Sequence, residues 1–70
     1  MIQVKVYYHR EGNALTVWFG DPANESVAEE TGDEIVLMKD RDGKVIGFEK
    51  LNFTGQSGDA IEVAFETFAL

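Results

Sequence analysis

Residues 34 to 51, EIVLMKDRDGKVIGFEKL, contain two apolar runs separated by an acidic turn that includes a glycine. Short apolar runs that are rich in β-branched and aromatic residues and bounded by turn residues predict strands rather than helices. Gly43 adopts positive φ without a steric penalty and Asp42 tolerates it. We therefore expect either a type I′ turn or a three-residue loop closed by a β-bulge. The stretch predicts a β-hairpin.

Alternation along the hairpin assigns its side chains to the two faces of a sheet. In the second strand it places Ile46 and Phe48 on one face, and Val45, Gly47 and Glu49 on the other. In residues 35 to 38 both faces are apolar, which is typical of an interior strand that is covered on both sides. We therefore expect another layer to cover the second face.

Length and composition restrict the class of protein. Seventy residues suffice for one small domain, and there is no cysteine for a disulfide or a thiolate metal site. The formal net charge of −7 disfavours nucleic acid and anionic membranes, because both bind clusters of Lys and Arg. With 44% hydrophobic residues the chain is expected to fold. We expect a single domain over residues 1 to 70, located in the cytoplasm.

Two alternating segments near the N-terminus predict a first hairpin. Apolar residues alternate with polar residues from 2 to 8, and alternation returns from 14 to 19. Gly12 and Asn13 lie between these segments and favour a turn. We expect the two strands to pair in antiparallel fashion.

Residues 21 to 32 fit two alternatives. Asp21 and Pro22 suit the N-terminus of a short helix that Gly32 would end. However, the segment has almost no apolar stripe that a helix could bury. We therefore favour a short, charged edge strand over residues 26 to 31.

The C-terminal residues predict a last strand. Residues 52 to 59, NFTGQSGD, form a loop by composition, and residues 61 to 69, IEVAFETFA, alternate between apolar and acidic or small side chains. The same residues also fit a helix face, but the alternating acids favour a strand.

The sequence as a whole predicts a mainly β fold. We expect a small antiparallel sheet of five or six strands built from hairpins, with one short helix as an option.

The order of these elements resembles a known family. The residues that carry the resemblance are Tyr7-Tyr8, Asn13-Ala14-Leu15-Thr16-Val17, Glu29-Glu30, Ile35-Val36-Leu37 and Asp40-Arg41-Asp42-Gly43-Lys44-Val45-Ile46-Gly47-Phe48-Glu49. Over residues 6 to 51 this pattern is similar to the DUF2283 family, and its most specific part is D-x-D-G-x-V-x-G-x-E. The resemblance implies a compact antiparallel β domain and no defined activity. His9 and Met38-Lys39 stand where the family pattern has acidic residues.

The acidic turn partly matches a calcium loop. Asp40, Asp42, Gly43 and Glu49 overlap the second half of an EF-hand loop. Met38 occupies the first ligand position, and the residues before Glu49 predict a strand. Because Asp and Gly favour hairpin turns by themselves, we interpret these residues as a turn and predict no metal site.

Catalytic constellations are not predicted. The chain has one histidine, His9, and two serines, Ser26 and Ser57. These are too few for a plausible nucleophilic triad or a nitrogen-rich zinc site. A carboxylate-based enzyme would use Glu29, Glu30 or Glu49, but it needs two acids across a cleft, for which short strands leave little room. We therefore predict a protein that is not an enzyme, with no catalytic, cofactor-binding or metal-binding residues.

Charge and apolarity favour a role in protein interaction. An acidic segment without Lys or Arg contains Asp21, Glu25, Glu29, Glu30, Asp33 and Glu34. It is typical of a solvated edge that resists aggregation, and the alternative is a docking surface for a basic partner, in the manner of an antitoxin. Trp18, Tyr7 and Phe68 suggest a second packing face, so a monomer would expose a large apolar patch. We expect a homodimer that acts as a non-catalytic protein-interaction module.

Overall fold

The computed structural model describes residues 2–55 and 60–69, and the strands in this part form one antiparallel sheet. The strands are β1 (Lys5–His9), β2 (Ala14–Trp18), β3 (Val27–Glu30), β4 (Ile35–Lys39) and β5 (Val45–Lys50). Their order in the sheet is β1-β2-β5-β4-β3. The predicted mainly β fold built from hairpins is confirmed. No helix in the described part has the length and apolarity that a membrane crossing requires.

The β4–β5 hairpin has the second of the two predicted turn geometries. The Gly43 N–H donates to the Asp40 carbonyl at 3.0 Å, and the Asp40 N–H donates to the Lys44 carbonyl at 2.9 Å. Gly43 has a φ of 81°, so the three-residue loop closes on a left-handed glycine. The Asp40 carboxylate accepts the N–H groups of Asp42 and Lys44, both at 2.9 Å. This side chain stabilises the turn from within.

A β-bulge in β5 changes which side chains share a face. Met38 pairs with Gly47, but the next residue, Lys39, pairs with Val45, so Ile46 is the extra residue. Directly opposed residues of antiparallel strands project to the same side of the sheet. Val45 therefore lies on the side of Lys39. The predicted grouping of Val45 with Gly47 is wrong, because strict alternation fails at a bulge.

Central strand β5 joins the two hairpins by pairing with β2 as well as β4. The contact continues beyond β2, where the Phe19 and Gly20 N–H groups both donate to the Ile46 carbonyl, at 3.0 and 2.9 Å. A Cβ on Gly20 would lie 2.7 Å from the Ile46 Cβ. Glycine at this position allows the chain to pass close to β5.

Residues 21 to 32 combine features of both predicted alternatives. Pro22–Asn24 form one turn of 3-10 helix, and the Asp21 carboxylate caps it by accepting the Ala23 N–H at 2.9 Å. The chain becomes extended again at Glu25, since this turn buries no residue that would stabilise a longer helix. Strand β3 follows as a fully exposed edge strand. The favoured charged edge strand is confirmed.

The buried part of the sheet is small. Ala14, Met38 and Ile46 are its buried hydrophobic residues, and no large side chain in the described part is less than 2% exposed. Strand β4 is an interior strand, as predicted, but Ile35 and Leu37 remain half-buried. The expected second layer is not found in residues 2–55 and 60–69, which contain no further helix or strand to supply it.

The predicted last strand over residues 61 to 69 is wrong. Residues 60–69 have no regular secondary structure, and Val63, Phe65 and Phe68 are 61%, 83% and 76% exposed. Alternation supplies the side-chain pattern of a strand, but a strand also needs a neighbour for its backbone hydrogen bonds. Of the predicted loop over residues 52 to 59, residues 56 to 59 lie outside the described residues.

Candidate functional site

The register of the sheet sorts the strand side chains onto two sides, because directly opposed residues project to the same side. One row of opposed residues consists of Val6, Val17, Phe48, Leu37 and Glu29. We define the apolar face as the apolar strand residues of that side: Val6, Tyr8, Leu15, Val17, Val27, Ile35, Leu37, Val45 and Phe48. Each of the five strands contributes to it.

The apolar face is open along its whole width. Val27 is 53% exposed and Val6 is 39% exposed, and the remaining residues of the face are half-buried. At one end of the face the rings of Tyr8 and Phe53 make an edge contact, with centroids 6.2 Å apart. Scattered apolar side chains are normal on a protein surface, and this face differs from them because its apolar residues are contiguous across the sheet.

Charged side chains on the same side of the sheet are paired within the chain. Glu29, Lys39 and Lys50 project from this side. The Lys39 Nζ lies 2.7 Å from the Glu29 Oε2, and the Lys50 Nζ lies 3.2 Å from the Glu34 Oε2. Both pairs are partly solvated, so solvent screening keeps their contribution to stability small. They nevertheless balance the charges on this side, although the chain has a net charge of −7.

Glu34 is held by several hydrogen bonds just before β4. It has a φ of 60°, and its carbonyl accepts the Leu51 N–H at 2.7 Å. Its carboxylate accepts the Asn52 Nδ2 at 3.0 Å and the Lys50 Nζ at 3.2 Å. The hydrogen bond from Asn52, followed by the hydrogen bond and charge of Lys50, lowers the pKa of Glu34.

We expect Asn52→Gly to raise the pKa of Glu34 toward the ordinary value for glutamate. Glycine accepts the φ of 50° at this position, so the substitution removes the amide without straining the backbone. A carbon-detected NMR titration of the Glu34 carboxyl measures the change. Because the folded-state pKa is lowered, its stabilisation is present above the ordinary pKa and is lost as the pH falls through the lowered value. An unchanged titration midpoint in the variant would contradict the assignment.

The other side of the sheet is packed around Gly47. A Cβ on Gly47 would lie 2.8 Å from the Trp18 Cε3 and 2.7 Å from the Val17 carbonyl oxygen, so the indole lies directly over the glycine. Two residues further along β5, the Glu49 Oε2 accepts the Thr16 hydroxyl at 3.0 Å. Gly47 and Glu49 thus fix β5 against β2.

The candidate carboxylates are not brought together. Glu29 lies on the side of the apolar face and pairs with Lys39. Glu30 and Glu49 lie on the other side, in strands separated by Val36 of β4. Two strand spacings place their Cα atoms about 10 Å apart, and the two residues line different surface depressions. The structure thus places Glu29 on one side of the sheet, and Glu30 and Glu49 on the other side with β4 between them.

The residues that resemble part of a calcium-binding loop are separated by the hairpin itself. The Asp40 carboxylate is engaged by the backbone of the turn, at Asp42 and Lys44. Glu49 lies about 16 Å further along β5 at the usual rise of a strand. Among residues 2–55 and 60–69, no group of three or more His, Cys, Asp or Glu is placed to hold a metal ion. The interpretation of Asp40 and Asp42 as turn residues accounts for the geometry.

Each of Asp40, Gly43, Gly47 and Glu49 therefore has a structural role in the motif D-x-D-G-x-V-x-G-x-E. The family described as "Protein of unknown function (DUF2283)" matches residues 5–53. The chain belongs to the DUF2283 family. The match spans all five strands of this DUF2283 domain. No curated protein and no solved structure matches the chain.

Sequence reasoning missed one important residue of the DUF2283 domain, Asn13. It is 9% exposed and has a φ of 52°. Its Oδ1 accepts the Tyr8 hydroxyl at 2.8 Å, the Thr54 hydroxyl at 2.9 Å and the Thr54 N–H at 3.1 Å. Its Nδ2 donates to the Thr54 carbonyl at 2.8 Å. In the sequence Asn13 follows Gly12 and predicts a turn. This local pattern does not reveal a hydrogen-bond partner 41 residues away.

The histidine of the DUF2283 domain, His9, lies apart from Ser26, the serine that the structure describes. His9 ends β1 and lines an open surface depression with Arg10 and Glu49. The Ser26 N–H donates to the Lys39 carbonyl at 2.8 Å, just before β3. Because β1 and β3 are opposite edges of the sheet, His9 cannot act on Ser26. Ser57 lies outside the described residues.

Proposed function

We propose that this DUF2283 domain is a non-catalytic, cytoplasmic protein-interaction module that forms a homodimer through its apolar face. The observation that supports the proposal is that the apolar face crosses all five strands while none of its residues is buried. Removing apolar surface from water is the main favourable term in protein association. Because few of the described residues are buried, covering this face would add substantially to the apolar area removed from water.

The size of the apolar face suits a dimer. A five-stranded sheet with strands of about five residues measures roughly 24 by 17 Å at standard strand spacing and rise. Its projected area is therefore about 400 Å², and two such faces with their side-chain relief bury on the order of 1,000 Å² together. This value lies at the lower limit for a specific interface. Two sheets pack face to face about 10 Å apart, so a second copy provides a matching surface.

Charge favours a second copy over a basic protein on this face. The acids nearest to the face, Glu29 and Glu34, already bind Lys39 and Lys50. A basic partner would find no unpaired acid among these residues, whereas two copies can approach without a net charge at the contact. The negative charge elsewhere on the chain would limit association at other surfaces.

The acidic segment supports the alternative of a basic partner less well. Besides Glu29 and Glu34, which are paired, Asp21 is engaged as the cap of the 3-10 turn. An antitoxin-like role would therefore depend on the remaining acids of the segment, Glu25, Glu30 and Asp33. These residues are exposed, as expected for an edge that resists aggregation.

We expect Leu37→Lys to convert the dimer to a monomer. Leu37 lies on interior strand β4 near the middle of the apolar face, so a lysine there would lose its water on dimerisation, at several kcal/mol. In the monomer the same ammonium group can reach solvent, because Leu37 is half-buried. Size-exclusion chromatography with light scattering over a concentration series should show a dissociation constant at least about 100-fold larger than that of the unmodified chain.

A matched pair of substitutions provides the control. Val27 and Ala28 are adjacent, exposed residues of β3 that project to opposite sides of the sheet. Val27→Lys should weaken the dimer, whereas Ala28→Lys, with the same change of charge, should leave it intact. Circular dichroism shows whether each variant is folded. A strictly monomeric unmodified chain at micromolar concentration, or equal effects of the two substitutions, would contradict the proposal.

A further inference from the structure

The C-terminal segment, residues 60 to 69, has the side-chain pattern of a strand but is not one in the structure. Ile61, Val63 and Phe65 alternate with Glu62 and Ala64, and the alternation continues to residue 69. The segment nevertheless has no regular secondary structure. Val63 is 61% exposed and Phe65 is 83% exposed. Within the part of the chain that the structure describes, the segment therefore pairs with no strand and leaves apolar side chains uncovered.

Strand β1 offers an edge that suits such a segment. It is the first strand in the sheet order, so among the described residues its outer side pairs with no other strand. Lys5 and His9 project from one side of β1, while Val6 and Tyr8 project from the apolar face. An open edge that carries aromatic and apolar groups is a template for a further strand. The opposite edge is less suitable, because β3 ends in two glutamates.

The segment and the edge match in both charge and spacing. Glu62 and Glu66 are four residues apart and project to the same side of an extended chain, as do Lys5 and His9. In one antiparallel register Glu66 lies opposite Lys5 and Glu62 lies opposite His9. In this register Phe65 and Val63 lie opposite Val6 and Tyr8.

We propose that the C-terminal segment of one copy adds to β1 of a second copy as a sixth, antiparallel strand in this register. Each copy donates one segment and accepts one, so the exchange closes on a dimer. The added strand extends the apolar face through Val63 and Phe65 and places Glu66 opposite Lys5 on the other side. The inference rests on the proposed self-association, but it concerns the edge of the sheet rather than its face.

A second copy is the occupant because the chain does not fill its own edge. Its own segment leaves Phe65 and Phe68 exposed at 83% and 76% and forms no strand with β1. In a solution of this protein every copy carries one β1 edge and one C-terminal segment, so the two are present at equal concentration. Strand exchange would satisfy both the open backbone of β1 and the uncovered side chains of the segment.

Cysteine cross-linking between two singly substituted full-length chains tests the register. The chain has no cysteine of its own. Val6→Cys and Phe65→Cys are purified separately, one of them with a mass tag, then mixed and oxidised mildly. Opposed residues of paired strands have Cβ atoms close enough for a disulfide. We expect a mixed cross-linked species at a yield about tenfold above that of Val6→Cys mixed with Ala64→Cys, whose side chains project to opposite sides.

The outcomes separate this inference from the proposed dimer. Equal yields for the matched and mismatched mixtures would overturn the strand exchange. So would an intramolecular disulfide in the doubly substituted chain without cross-links on mixing, because the segment would then fold onto its own β1. A dimer mass without the matched cross-link would overturn the exchange and leave the apolar-face dimer standing. A matched cross-link together with a dimeric Leu37→Lys variant would support the exchange and overturn the apolar face as the contact.

Discussion

Replacing Gly47 with alanine should lower the free energy of unfolding by about 3 kcal/mol, because the added methyl group has no room. It would lie 2.7 Å from the Val17 carbonyl oxygen and 2.8 Å from the Trp18 ring. The indole can rotate away, but the carbonyl belongs to the backbone of β2, the strand paired with β5. A domain of this size has only about 4–10 kcal/mol of stability, so the melting temperature should fall by roughly 15 °C. Thermal and urea unfolding followed by circular dichroism measure both quantities.

Gly12→Ala is the matched control for Gly47→Ala. A Cβ on Gly12 would meet no atom within 4 Å, and its φ is not in the left-handed region. The same chemical change should therefore alter the free energy of unfolding by less than about 1 kcal/mol, since the lower entropy of the unfolded chain favours the variant slightly. If both alanine variants unfolded at the same denaturant concentration as the unmodified protein, the close contact at Gly47 would not limit side-chain size.

Asn13→Ala should lower the free energy of unfolding by about 4 kcal/mol, since it removes a buried acceptor and introduces backbone strain. The side chain of Asn13 links the Tyr8 hydroxyl to the backbone and hydroxyl of Thr54. Alanine also has to adopt the φ of 52°, which is unfavourable for a residue with a Cβ. Urea unfolding measures the loss. Hydrogen exchange should accelerate at the Thr54 amide, which donates to the Asn13 Oδ1 at 3.1 Å.

Two further substitutions divide this effect into its parts. Asn13→Gly removes the same hydrogen bonds but accepts the left-handed conformation, so it should be more stable than Asn13→Ala by about 1 kcal/mol. Tyr8→Phe removes one donor to the Asn13 Oδ1 and should have the smallest effect, about 1 kcal/mol. An Asn13→Ala variant as stable as Tyr8→Phe would show that the contacts to Thr54 add nothing to stability.

Local chemistry explains why most strands were predictable. The β4–β5 hairpin follows from two apolar runs and from Gly43, whose φ of 81° closes the loop. The edge strand β3 follows from a charged segment without an apolar stripe, and Asp21 caps the preceding turn as its position before Pro22 suggests. These features depend on residues only a few positions apart, which is the range that sequence patterns describe well.

The errors occurred where pairing decides the structure. The bulge at Ile46 reverses the face of Val45, and alternation by itself does not reveal a bulge. Residues 61 to 69 have the alternation of a strand but no strand beside them in the described chain. The register distributes the candidate acids Glu29, Glu30 and Glu49 over two sides of the sheet and two strands, which the sequence did not reveal.

The sequence by itself determined the hairpins, the turn at Asp40 and Gly43, and the acidic edge, because turn chemistry and alternation act between neighbouring residues. Only the tertiary structure decided that β5 lies between β2 and β4, that Asn13 binds Thr54, and that one apolar face remains open. These features join residues far apart in the chain. Their position depends on which strand edges meet after the hairpins have formed, and periodicity within one segment does not contain that information.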